Sequence, residues 1–143
     1  MGDSSTINPQ LRITLMGLAD VLIPRTEVMP SPTEVDIHGA WLDRVLQARP
    51  DLASPLTRLL TVATGRQASV EIARLRRDEP DSFKVLVTVV AGGYYMTPTV
   101  RKLIKYTGQE ASLASPGEAD DDLRDGILEP ILARGPIYRP TPT

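Results

Sequence analysis

The chain has 143 residues, 41 % of them hydrophobic, which suits one domain with its own core. Its 16 Lys and Arg against 18 Asp and Glu leave a formal charge of −2, so no net field draws it toward nucleic acid or an anionic membrane. With no cysteine, disulfides, thiolate metal sites, iron–sulfur clusters, covalent haem attachment and cysteine nucleophiles are excluded.

The opening MGDSSTINPQ has neither a twin-arginine pair nor a basic segment followed by an apolar run. The longest apolar stretch, VLVTVVA at 85–91, is far below the ~20 residues that span a bilayer. The expectation is a cytoplasmic chain without direct membrane insertion.

Proline punctuates the chain. Five of the 13 prolines come after Asn, Ser or Thr, at Asn8-Pro9, Ser31-Pro32, Ser54-Pro55, Thr97-Pro98 and Ser115-Pro116. Each pair predicts a helix start, because the polar side chain accepts from an orphan first-turn amide and proline has a preset φ and no amide to satisfy. SPTE at 31–34 and SPGE at 115–118 add the capping-box spacing with Glu34 and Glu118. Leu11, Leu15, Leu18 and Leu22 share one face of the first helix. Val35, Leu42, Val45 and Leu46 form the stripe of another that Pro50 stops, and Leu56, Leu59, Leu60 and Ala63 mark a third. A fourth spans about 67–78, with Val70, Ile72, Ala73 and Leu75 inward among many charges.

FKVLVTVVAGGYY has the valine content of a strand and no clean 3.6-residue period. Asp81-Ser82 after Pro80 reads as a cap, and nothing else in the chain supplies a strand to pair with. A buried, almost all-apolar helix over about 82–94 is therefore expected at the centre of a bundle. A short helix over about 98–106 follows, ended by Gly108. Then come a polar connector, a weak helix around 120–134 interrupted by Pro130, and an extended tail, GPIYRPTPT. The fold class is all-α, a compact bundle of about five to seven short helices over residues 1–109, with residues 110–143 as connector, weak helix and extended partner-binding tail.

Signs of chemistry are few. His38 is the only histidine, which removes paired-histidine metal motifs, and it reads as an amphipathic packing residue near Trp41. Asp120, Asp121 and Asp122 lack the alternating ligands of a calcium loop and read as a solvated helix start. Asp36 and Asp43, seven apart, read as the wet side of one helix, and Arg74, Arg76 and Arg77 as a solvent face. Gly92-Gly93 is followed by YYMTP, so no dinucleotide or phosphate-loop fingerprint is present. No catalytic, cofactor-binding or metal-binding residue is assigned.

The stretch AGGYYMTPTVRKLIKYTG, residues 91–108, is different in kind. Gly92 and Gly93 offer either close helix contact or a positive φ that ends the buried helix, and Thr97-Pro98 opens the next one, which implies a sharp helical corner. Tyr94 and Tyr95, being adjacent, cannot both point the same way: either one fills the core and the other is presented outward, where tyrosine suits an interface, or both rings are structural in a packed corner.

Two segments together, LADVLIPRTEVMPSPTEVDIHGAWLDRVL and GGYYMTPTVRKLIKYTGQ, resemble the gluconate 2-dehydrogenase subunit 3 family, the small subunit of flavin-dependent sugar dehydrogenases. The N-terminal segment is similar to the family's Leu-Ala-Asp-x-Ile/Leu-Ile-Pro helix end at Leu18 to Pro24. The C-terminal segment is similar to its Gly-Tyr-Tyr, Pro and Gly-Tyr-x-Gly pattern, carried by Gly93, Tyr94, Tyr95, Pro98, Tyr106 and Gly108. The likeness covers residues 11–109, and the family often has Gly where this chain has Lys105.

The resemblance implies a noncatalytic helical subunit, in a hetero-oligomer, that binds and stabilises a larger FAD-containing subunit of the glucose–methanol–choline type. That partner oxidises a sugar, glycoside or related alcohol, and a cytochrome accompanies some such complexes. It also implies export of many family members by a twin-arginine signal, so a periplasmic location is expected only with a signal-bearing partner. Partner contacts are expected at Tyr94, Tyr95, Met96, Arg101 and Tyr106, and at Tyr138 and Arg139 in the tail. The alternative is a free-standing helical binding or regulatory protein with no redox partner.

Overall fold

The computed structural model describes residues 7–111, 117 and 124–137. The described residues are all-α, with seven helices, five of them of seven residues or more, and no strand. The helices are α1 (Pro9–Leu22), α2 (Ala40–Ala48), α3 (Ala53–Ala63), α4 (Ala68–Asp78), α5 (Pro80–Met96), α6 (Pro98–Leu103) and α7 (Glu129–Arg134), with 3-10 turns at Thr33–Val35 and Pro50–Leu52. None is long and apolar enough to cross a membrane.

The chain divides into two units, Met1–Thr107 and Gly108–Thr143. In the latter, the described secondary structure is α7 with its neighbouring turns. Pro130 sits in the first turn of α7, where its missing amide leaves no hydrogen bond unmade, and does not interrupt it. Residues 112–116, 118–123 and 138–143 lie outside the described residues, and with them Asp120, Asp121, Asp122, Tyr138 and Arg139.

In the first unit α5 packs against α2, α3, α4 and α6, and α1 packs against α3 and α4. Leu86, Val89, Val90, Gly93 and Tyr94 are the buried residues of α5, a stripe at the i, i+3, i+4, i+7, i+8 spacing of one helix face. Lys84, Val87, Thr88 and Tyr95 are exposed. The helix is thus buried along one face and not all round, and it is longer at both ends than the sequence suggests. The stripe shares one core cluster with Leu15 and Leu18 of α1, Leu42 and Val45 of α2, Leu56 and Leu60 of α3 and Leu75 of α4.

The glycines do not end α5. Gly92 and Gly93 are helical, neither has a positive φ, and a Cβ on either would meet Val45 or Ile37 at 3.6–3.9 Å, which is ordinary van der Waals contact. Termination comes four residues later. Proline disfavours the α region for the residue before it, and Thr97, at φ −67° and ψ 136°, leaves the helix while capping the next. Its hydroxyl donates to the Tyr94 carbonyl at 2.8 Å and accepts from the Val100 amide at 3.4 Å.

Asn8 caps α1 as its sequence suggests, accepting from the Gln10 amide at 2.8 Å. Thr97-Pro98 does the same for α6, Ser115-Pro116 and Glu118 lie outside the described residues, and the remaining two starts differ. After Ser31-Pro32 the chain makes only a 3-10 turn, then Asp36 takes a left-handed conformation (φ 57°) and α2 begins at Ala40. Asp36 and Asp43 therefore do not share a helix face. Half of the capping box forms, with the Ser31 amide donating to the Glu34 carboxylate at 2.7 Å. Ser54 lies inside α3, which starts at Ala53 after the Pro50–Leu52 turn.

Arg12 ties this irregular segment to α1. Its guanidinium donates to the carbonyls of Ile7 (3.0 Å), His38 (2.6 Å) and Gly39 (3.1 Å) and to the Asp43 carboxylate (2.5 Å). His38 itself is half-buried, with Nε2 3.4 Å from the Asp36 carboxylate.

On α4 the inward residues are Leu75 and, partly, Ile72, whereas Val70 and Ala73 are not buried, Val70 being fully on the outer face. The unexpected interior residue is Glu71, 1 % exposed. Arg74 holds it from Nη2 at 2.6 Å and Arg66 from Nη1 at 3.2 Å. The Arg74 hydrogen bonds hold the Glu71 carboxyl below its ordinary range, against the opposing effect of desolvation. So at least Arg74 of the expected solvent face is structural.

Two outcomes are expected. Gly92→Ala, which gains helix propensity without a clash, should raise stability by about 0.5–1 kcal/mol in urea or thermal unfolding; a loss would show that the glycine is needed for packing. Glu71→Gln should lower stability at neutral pH by about 1–3 kcal/mol, because both arginines keep some access to water. A depressed folded-state pKa gives stability that is present above the unfolded value and lost as pH falls through the folded one. The gap between wild type and Glu71→Gln should therefore narrow on acidification below about pH 4.5, and a gap independent of pH would contradict the assignment.

Candidate interaction groove

Tyr94 and Tyr95 divide as adjacent helical residues must. Tyr94 is 1 % exposed and its hydroxyl donates to the Pro30 carbonyl at 2.7 Å, while Tyr95 is 54 % exposed. Their rings meet edge to face, 5.4 Å apart at 82°. Burial raises the Tyr94 phenol above its ordinary pKa, and its bond to Pro30 ties α5 to the loop before the first 3-10 turn. Burying a ring of ~150–250 Å² at ~25 cal/mol per Å² contributes about 4–6 kcal/mol, so Tyr94 belongs to the core rather than to a surface.

Four of the other residues singled out in the sequence come together. Tyr95, Met96, Arg101 and Tyr106 line one open groove of about 490 Å³, with Trp41, Arg44 and Pro98 completing it. The α5–α6 corner supplies one wall, and α2, packed on α5, supplies the other.

The C-terminus of α6 places Tyr106. The Tyr106 amide donates to the Arg101 carbonyl at 2.9 Å and the Lys105 amide to the Lys102 carbonyl at 3.1 Å, the paired bonds of a Schellman turn. That turn requires a left-handed residue, and it is Lys105, at φ 56°, rather than Gly108. The turn carries Tyr106 back over its own helix, with the Arg101 guanidinium 5.2 Å from the ring centroid. α6 accordingly stops at Leu103, short of the expected 106.

The opposite wall repeats the arrangement. The Arg44 guanidinium lies 4.7 Å from the Trp41 ring centroid. Among the described residues no carboxylate lines the groove, and neither Arg44 nor Arg101 has one within ion-pair distance. Arg101 Nε is buried without a hydrogen-bond partner among the described residues. The groove is thus a cationic, aromatic surface with unspent donors, able to hold an anionic group by charge-assisted hydrogen bonds.

Trp41 and Arg44 are not recognisable from the sequence as members of this cluster. Their spacing on one helix is a usable signal for a cation–aromatic pair, but their partnership with residues more than fifty positions away follows from α2 packing on α5. Among the described residues no group of three or more His, Asp and Glu is placed to hold a metal ion.

Lys105→Gly should stabilise the chain by about 1 kcal/mol, since a Cβ in the left-handed region is unfavourable, and should leave the Arg101–Tyr106 contact in place. Lys105→Val should destabilise. Equal thermal midpoints for the three chains would rule out strain at this turn.

Comparison with known proteins adds no assignment: no family model, curated protein or solved structure matches the chain.

Proposed function

We propose that this chain is a noncatalytic accessory subunit that binds and stabilises a larger FAD-dependent oxidoreductase subunit acting on a sugar, glycoside or related alcohol. The observation that carries the docking role is the convergence of Tyr95, Met96, Arg101 and Tyr106 on one exposed groove. Tyrosine, methionine and arginine are the residue types enriched where protein interfaces are buried. The identity of the partner rests on the motif resemblance. Lys105 lends it physical support, because it takes a left-handed conformation where the resembled family often has glycine, and Gly108 of the same motif has φ 102°.

On this reading the flavin, the substrate site and the redox chemistry belong to the large subunit. The chain's own contribution is to cover apolar surface and order segments of its partner, as accessory subunits of hetero-oligomers do. A free-standing helical adaptor is the alternative reading, and it is favoured by the core of the first unit, where 19 of the described hydrophobic residues are buried together.

Native purification from the source cells discriminates between them. The expected outcome is a yellow flavoprotein at fixed stoichiometry with the chain, lost on Tyr95→Ala combined with Met96→Ala. A chain that elutes alone, colourless and folded, would overturn the subunit proposal, and sugar turnover by the chain alone would overturn its noncatalytic part.

A further inference from the structure

We infer that the groove between α2 and the α5–α6 corner receives an extended peptide segment of a protein partner, carrying a carboxylate beside an apolar side chain. This deepens the accessory-subunit proposal and rests on it only for the source of the peptide.

Charge complementarity gives the first half of the specification. Arg44 and Arg101 stand on opposite walls, face no carboxylate among the described residues, and belong to a chain whose formal charge is −2. An arginine in a folded protein ordinarily finds an acceptor, as Arg12, Arg66 and Arg74 do here. The buried, unpartnered Nε of Arg101 leaves a donor without an acceptor among the described residues. A carboxylate supplies acceptors in the planar geometry that guanidinium favours.

The apolar half comes from Tyr95 and Met96, 54 % and 38 % exposed at the end of α5. Methionine adapts to side chains of varied shape, and tyrosine presents a wide apolar ring with little conformational freedom to lose. An open cleft of about 490 Å³ suits a few side chains of an extended strand.

The same geometry argues against a nucleic-acid strand. One face of Trp41 and one face of Tyr106 are already taken by guanidinium groups, and the Tyr95 ring is engaged edge to face by Tyr94. Base stacking needs bare ring faces along a cationic track, and two cations on an acidic chain make a short one.

Trp41 is the only tryptophan, so its fluorescence reports on the groove directly. A library of random dodecapeptides displayed on phage is selected against the full chain, and the recovered peptides are synthesised and titrated. The expected result is that they carry Asp or Glu next to an apolar residue, change Trp41 emission saturably, and bind at least about tenfold more weakly to Arg44→Gln or Arg101→Gln. Lys102→Gln, outside the groove, should bind them unchanged. Circular dichroism checks that each variant is folded. Amide analogues of the peptides, with Asn or Gln for Asp or Glu, make the same test on the unaltered protein and should also lose about tenfold.

Recovered peptides without acidic residues, amide analogues that bind equally, or a selection yielding nothing that perturbs Trp41 would overturn the proposal. Displacement of the peptides by an oligothymidylate at lower concentration would overturn it in favour of nucleic acid. The two proposals fail separately. A flavoprotein that co-purifies undiminished with Arg44→Gln/Arg101→Gln refutes the groove and keeps the subunit, whereas acidic peptides without any flavoprotein refute the subunit and keep the groove.

Discussion

Proline at position 98 fixes the first unit at its most consequential point. By disfavouring the α region for Thr97, it ends the 17-residue α5 beyond its buried stripe and starts α6 in a new direction. Thr97, 2 % exposed, makes that break inexpensive, because its hydroxyl serves the last turn of one helix and the first turn of the next. Without the corner the helix would run on, and Arg101 and Tyr106 would be carried away from Tyr95 and Met96. The candidate recognition surface is therefore a by-product of a local backbone restriction that needs no partner to form.

Two groups of arginines stand out among the described residues. Arg12, Arg66 and Arg74 hold carbonyls or carboxylates and knit segments together. Arg44 and Arg101 lie instead over aromatic rings. Arg66 and Arg74 support a carboxylate in the interior, and removing either leaves Glu71 less compensated there. Ring-supported arginines keep their forks free while losing little flexibility on binding, which is the condition for a ready-made recognition surface.

Much of the fold is legible in the residues. Asn8-Pro9 and Thr97-Pro98 mark helix starts because both have a side-chain acceptor in place, and the leucine stripes of α1 and α3 are the faces that pack. The α5 segment reads as helix because no strand exists for it to pair with, yet apolar residues on its outer face obscure the stripe at Leu86, Val89, Val90, Gly93 and Tyr94. Ser31-Pro32 has the form of a helix start, but Asp36 in a left-handed turn and Gly39 reset the chain. Glu71 has the local setting of a surface charge, since nothing nearby in sequence shows that it turns inward while Arg66 and Arg74 reach it from the surface. The outward Tyr95 and its neighbours are visible as a local cluster. The other wall of the groove is not, because tertiary packing alone brings Trp41 and Arg44 to it.

Arg12 has a consequence for how the molecule opens. One guanidinium bridges the chain before α1, the carbonyls ahead of α2 and the first turn of α2 itself, so these pieces cannot fray one at a time. They form a single cooperative unit, and amide protons near Gly39 should exchange with solvent together with those at the start of α1. Trp41 stands just inside that unit, on the wall of the groove that α2 supplies. Because Leu42 and Val45 of the same helix belong to the core, that wall of the candidate groove is held by the same packing that holds the fold.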